Sequence, residues 1–285
     1  MDIVKKRGAA TKGRAANVVA GADFVEVKAT IPPGQVAAAL ARYGLDPGKE
    51  TDRYIYFFDT PDLTLLEAGV IARARRIVGG THDSTVKFRP VVPDQVAKRW
   101  QKYKGFKIEA DASDRGVVTS ASLTMPVDKG VIKKAASGAQ RIGVLFTEEQ
   151  INFLLSMAKR NLPYSDLIVL GPIEAFRWKL AEPALPWPMT VELWRRPDGE
   201  EIMEISVKAP AVQAAVIYFG FMAFLAEVGA ERDENQQAKT RWALDFFAAK
   251  AKRPAESGAR AKAGKARAKV RRSGRPAGRA AGRGR

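Results

Sequence analysis

At 285 residues with 46% hydrophobic side chains, the chain can build one large domain or two ordinary ones around a substantial core. It holds no cysteine and one histidine, which excludes a disulfide framework, a thiol nucleophile, zinc-finger spacing, a histidine-based triad and a multi-histidine metal site. The net charge of +17 sits at the ends: residues 1–20 carry +4 and residues 250–285 carry +13, leaving 29 basic and 29 acidic residues between them.

Residues 1–20 show basic side chains, no apolar run and no sustained period, so they read as a flexible basic arm rather than a secretory signal. With the absence of cysteine, this makes the cytoplasm the expected compartment. From 21 the pattern turns to strands. FVEVKATI (24–31) alternates Val25, Val27, Ala29 and Ile31 with Phe24, Glu26, Lys28 and Thr30, so one strand face carries an acid and a base together. IPPGQVAAALARYGL predicts a short helix with a proline start and a glycine stop. RYIYFFD (53–59) is an aromatic strand. It leads into a helix expected to take Thr60 as N-cap and Pro61 as its first residue, with Asp62 complementing the dipole and Gly69 ending it.

The acid-and-base alternation recurs. VIARARRIV sets Arg73 and Arg75 opposite Ala72 and Ala74, STVKFRPV sets Lys87 and Arg89 opposite Val86 and Phe88, and GFKIEADAS sets Lys107, Glu109 and Asp111 opposite Ile108 and Ala110. AFRWKL presents Arg177 and Lys179, MTVELW presents Glu192, and IMEISVKA presents Glu204, Ser206 and Lys208. Solvent faces of ordinary antiparallel sheets alternate in the same way. Here acids concentrate on four strands and paired bases on three others, which suits a barrel interior where carboxylates hold a hard cation and Lys/Arg pairs hold phosphate. The lone His82, in GGTHDS, reads as a loop residue. TEEQINFLLSMAKRNL predicts a helix with Thr147 and Gln150 spaced as a capping box. The uncharged stretch APAVQAAVIYFGFMAFLA reads as a buried helix opened by Pro210 and capped by Gly229, not as a membrane span. RDENQQAKTRWALDFFAAK predicts a last helix with Ala238, Trp242 and Phe246 at helical spacing.

These residues resemble the CYTH superfamily, the triphosphate tunnel metalloenzymes, over about 21–248. FVEVKA is similar to the family's opening E-x-E-x-K strand, YFFDTPDLTLLEAGVIARARR to its aromatic-Asp-Thr-Pro-Asp segment and L-R-x-R strand, TVKFR to its lysine strand, KIEAD to its R-x-E-x-E strand, EISVK to its closing E-x-E strand and QAKTRWAL to its C-terminal lysine segment. Residues 117–170 match nothing in it. The resemblance implies an α+β fold, an eight-stranded antiparallel barrel forming a tunnel, with flanking helices. It also implies metal-dependent hydrolysis of a tri- or polyphosphate or a nucleoside triphosphate. Lys28, Arg73, Arg75, Lys87, Arg177, Lys179 and Lys239 would bind phosphate. Glu26, Glu109 and Asp111 would act in catalysis, and Glu26, Glu192 and Glu204 would hold Mg²⁺ or Mn²⁺.

The departures weaken the acid set. Phe24 stands where the first glutamate belongs and Ser206 where the second acid of the closing strand belongs, and Asp23 could substitute only through a bulge. Two alternatives follow: a non-catalytic phosphate or nucleotide sensor, and an adenylate cyclase relative. Residues 249–285 lack aromatics and nearly all large aliphatics, so a disordered tail is expected, with nonspecific contact to nucleic acid or polyphosphate as its reading. No membrane partner is expected, and the sequence says nothing of oligomeric state.

Overall fold

The structure, a computed structural model, describes residues 21–48, 53–113, 116–157, 166–230 and 238–252. The basic arm and nearly all of the tail lie outside these. The chain divides into two units between Ala248 and Ala249. The first contains a closed barrel of nine strands: β1 (Phe24–Ile31), β2 (Arg53–Asp59), β3 (Val70–Ile77), β4 (Asp83–Phe88), β5 (Phe106–Ser113), β6 (Gly116–Pro126), β7 (Ile168–Leu180), β8 (Met189–Arg195) and β9 (Glu201–Pro210). Their order around the barrel is β1-β5-β6-β4-β3-β2-β7-β8-β9.

The expected eight antiparallel strands are therefore nine. The extra strand, β6, comes from the segment without family resemblance and inserts between β5 and β4. An odd ring cannot alternate direction throughout, so one pair must run parallel, and β1 with β5 is that pair. β7 also runs longer than AFRWKL suggests, with a register shift against β2 between Ile55 and Phe57. Gly171 lies there because a Cβ would meet the Ile55 carbonyl oxygen at 2.9 Å.

The period-two pattern fixes which face is inside. Val25, Val27, Ala29 and Ile31 are buried against the outer helices, so their alternates Glu26, Lys28 and Thr30 face the lumen. Among the described residues the helices are α1 (Val36–Arg42), α2 (Thr64–Glu67), α3 (Lys129–Ala136), α4 (Glu148–Met157), α5 (Ala214–Glu227) and α6 (Lys239–Lys252). α5 covers the β1 and β9 side through Ile217, Phe221, Phe224 and Leu225. α3 and α4 cover β3, β4, β5 and β6 through Ile132, Ala135, Phe153 and Leu154. No helix among the described residues is long and apolar enough to cross a membrane.

Gln150 does more than complete the expected capping box with Thr147. Fully buried, its amide donates to the Ser84 and Leu123 carbonyls at 3.0 Å each and its oxygen accepts from the Ser84 hydroxyl, bolting α4 to the barrel wall. The Thr60 cap is displaced. α2 starts at Thr64, Leu63 is its N-cap in the left-handed region, and Asp59 accepts from the Thr60, Leu65 and Leu66 amides. Thr60, Pro61 and Asp62 instead form the approach turn. In α6 the buried face is Ala243, Leu244, Phe247 and Ala248, while Trp242 and Phe246 are half-buried under the Arg196 guanidinium at 4.5 Å. α6 continues to Lys252, into the stretch expected to be tail.

Candidate anion site in the barrel lumen

Cross-strand register places the expected site residues on one inward face. Glu26 pairs with Asp111 and Lys208, Lys28 with Ser206, Thr30 with Glu204, and Glu192 with both Glu204 and Arg177. On the other side of the ring Arg73 pairs with Phe57 and Thr85, and Arg75 with Ile55 and Asp83. One end of this face is apolar: Ile55, Phe57, Ile173, Ala175, Trp194 and Ile202 pack against α6. The remainder is mostly charged or hydroxyl-bearing.

Each expected carboxylate has a basic partner. Lys28 Nζ lies 3.3 Å from Glu26 Oε2 and 2.9 Å from Asp111 Oδ1. Arg89 Nη1 reaches Asp111 Oδ2 at 2.9 Å, and Lys208 bonds Glu109. Lys239 Nζ bridges Glu192 Oε2 at 2.6 Å and Glu204 Oε1 at 2.9 Å, with Arg177 Nε 3.4 Å from Glu192 Oε1. These contacts set the protonation states. Burial opposes the charge on Asp111, yet Lys28, Lys87 and Arg89 hold it well below the ordinary aspartate range. Burial likewise opposes Glu192, but Lys239 and Arg177 bring it down to about 2. Lys28 is pushed the other way. Burial disfavours its ammonium, and Glu26, Glu204 and Asp111 outweigh burial and raise it well above the usual lysine value.

The cations are not all used up. Arg75 makes a bidentate pair with Asp83, Nε to Oδ1 at 2.9 Å and Nη2 to Oδ2 at 2.6 Å. Its neighbour Arg73 has no carboxylate in ion-pair range among the described residues, and its Nε is buried without a hydrogen-bond partner. Burial and the adjacent Arg75 lower it to about 9. Lys87, two residues along β4 from Thr85 and on the same face, is half-buried and makes no ion pair among the described residues, and desolvation lowers it too. Two desolvated cations on one face of adjacent strands, with the neighbouring acids already partnered, form a place for an anion.

Some expected residues stand apart. Lys179 lies on the inward face of β7 but is exposed at the strand's end. Asp23 does not replace the acid missing at Phe24: its carboxylate accepts from the Ile108 amide at 2.9 Å. The Phe24 ring instead carries the Lys208 ammonium 4.7 Å from its centroid, and the Ser206 hydroxyl donates to Glu26 Oε1 at 3.0 Å. His82 closes the β3–β4 turn, its Nδ1 accepting from the Ile77 amide. Asp83 and Arg89 were not among the site residues expected from the sequence. Asp83 shares its face with Thr85 and Lys87, two and four residues along, a period-two signal that could have found it.

The donor set also bears on a divalent cation. Glu26, Glu192 and Glu204 do not converge on one point: Glu26 is held by Lys28 and Ser206, the other two by Lys239. Among the described residues no three acidic or histidine side chains gather as a metal cage. As arranged, these residues do not fit a resident metal.

No protein-family model and no curated protein matches the chain. Solved structures do. A candidate adenylate cyclase from Bacillus halodurans is 15% identical, with a TM-score of 0.52 over 77% of this chain and 98% of its own. HpAC1 of Hippeastrum, a candidate adenylyl cyclase described as having a dominant triphosphatase activity, is 14% identical, with a TM-score of 0.50 over 76% of this chain and 92% of its own. The chain shares the barrel fold of these cyclase- and triphosphatase-type structures.

Proposed function

We propose that the chain receives the triphosphate end of a nucleotide, or inorganic tri- or polyphosphate, in the barrel lumen. The observation that carries this reading is the pair of desolvated cations Arg73 and Lys87, neither of which makes an ion pair among the described residues. A phosphate chain brings several negative charges and acceptor oxygens, and it gains most where the receiving cations are already desolvated. Arg75, two residues from Arg73 on the same face of β3, can extend the grip along the phosphate chain.

Hydrolysis of the bound triphosphate, with Mg²⁺ or Mn²⁺, is the second reading, and the triphosphatase activity named for HpAC1 favours it. Glu26, Glu109 and Asp111 line the lumen as the groups that would orient water. Against it, a carboxylate held as low as Asp111 is a weak base. Adenylate cyclisation draws its support from the cyclase names of both neighbours.

The test is binding of inorganic triphosphate and ATP to the full chain by calorimetry, alongside phosphate and cyclic-nucleotide release with Mg²⁺ or Mn²⁺. Lys87→Met should weaken binding by roughly tenfold or more while the protein stays folded. Unchanged affinity in Lys87→Met would remove the lumen as the binding place. Metal-dependent release of phosphate or cyclic nucleotide would decide between the chemistries, and neither product would leave a receptor.

A further inference from the structure

Glu192 and Glu204 are direct cross-strand partners on β8 and β9, so their carboxylates are brought together by backbone register alone. Two such groups on a shared face repel unless a cation stands between them. Here the cation is Lys239 Nζ, 2.6 Å from one carboxylate and 2.9 Å from the other. The lysine is not a stray surface side chain. It is only 10% exposed, and its ammonium lies 5.1 Å from the Trp194 ring centroid. Its helix is anchored to the barrel by Ala243, Leu244 and Phe247.

Its position in α6 is also unfavourable locally. Lys239 is the first residue of the helix, and a cation there opposes the positive end of the helix dipole. The two carboxylates offset that penalty. With Arg177 beside Glu192, the two acids are matched by two monovalent side-chain cations, which leaves no charge deficit for an ion from solution to fill.

We propose that Lys239 is a tethered replacement for a divalent cation at the Glu192–Glu204 pair, and that deleting its ammonium opens a divalent-metal site there. The wild-type lumen then takes a phosphate chain without any metal. That last consequence rests on the triphosphate reading above; the metal-site claim does not.

The experiment titrates Mn²⁺ into the full chain, read by electron paramagnetic resonance and by thermal shift. Wild type and Lys239→Arg should show no lumen site. Lys239→Met and Lys239→Gln should each gain one about tenfold tighter than any wild-type binding, and adding Glu204→Gln should abolish it. Wild type taking Mn²⁺ as tightly as the two neutral variants would overturn the proposal. So would neutral variants that fold, by circular dichroism, and gain no site. A second arm measures inorganic triphosphate binding to wild type in EDTA and in Mg²⁺. Equal affinity supports the replacement, and binding that requires Mg²⁺ overturns it while leaving the triphosphate reading intact. If triphosphate binds in neither buffer, that reading falls and the Mn²⁺ titration alone decides the role of Lys239.

Discussion

Arg73→Met separates stability from function at the centre of the lumen. Methionine keeps the length of the arginine stem and removes a guanidinium that is desolvated beside Arg75 and makes no ion pair among the described residues. Arg73 is lowered from the ordinary arginine value to about 9, so its charge disfavours the folded state throughout the neutral range. That penalty is relieved only as pH climbs from about 9 towards the ordinary arginine value. Removing an uncompensated buried charge should stabilise the apo protein by about 1–3 kcal/mol. At about 2–4 °C per kcal/mol for a domain of this size, the melting temperature rises by several degrees. Triphosphate binding should fall by about 2–5 kcal/mol, roughly 30-fold or more, because one partner of a buried charge pair is lost. The assay is a thermal melt of wild type and variant with and without inorganic triphosphate. Ligand held only by the basic tail does not raise the barrel's melting temperature, whereas ligand in the lumen does. The order of melting temperatures should therefore invert: variant above wild type without triphosphate, wild type above variant at saturation. A variant that melts below wild type when apo, or that shifts as far with triphosphate, would refute the reasoning.

Two further outcomes follow from the same charge arrangement. Glu192 is depressed from 4.5 to about 2, so its pairing with Lys239 supplies stability above pH 4.5 that is lost as pH falls towards 2, at most about 3 kcal/mol; melting temperature followed from pH 6 to pH 3 should fall less steeply in Glu192→Gln, and an unchanged slope would contradict the pairing. Asp83→Asn should release Arg75 from its bidentate partner, cost about 1–3 kcal/mol of stability and tighten triphosphate binding, and calorimetry showing equal or weaker binding would show that Arg75 does not face the ligand.

Much of the barrel was legible because charge on its inner face marked its strands. Phe24–Ile31, Val70–Ile77 and Glu201–Pro210 alternate apolar with charged residues over most of their length, and Glu26, Lys28, Arg73, Arg75, Glu204 and Lys208 turn inward, while Arg76 and Glu201 near the strand ends face out. β6 carried no such mark. Its inward residues are Ser120, Ser122 and Thr124, short hydroxyls opposite Glu109, Lys107 and Thr85, so a search for charge passes over it. The start of α2 was misplaced for a different reason. Thr60-Pro61-Asp62 has the local chemistry of a helix start, but Asp59 at the end of β2 can reach the amides of Leu65 and Leu66 once Leu63 takes a left-handed turn, and that depends on backbone geometry rather than residue type.

What could not be read from the sequence was which charges cancel. Seen along the chain, Phe24 and Ser206 are two lost acids and nothing more. In the fold each keeps a remaining charge partnered: the Phe24 ring meets the Lys208 ammonium, and the Ser206 hydroxyl donates to Glu26. Replacing an acid by an aromatic or a hydroxyl therefore leaves no remaining carboxylate stranded, but it does leave the inward face with more cations than anions. That excess has to appear somewhere, and it appears at Arg73 and Lys87, whose direct cross-strand partners are Phe57 and Thr85 for the one and Ile71 and Ser122 for the other. None of these can neutralise a charge. A barrel that retains two desolvated cations at this cost, while pairing each of the expected acids with a lysine or arginine, is arranged for an anion that arrives from outside.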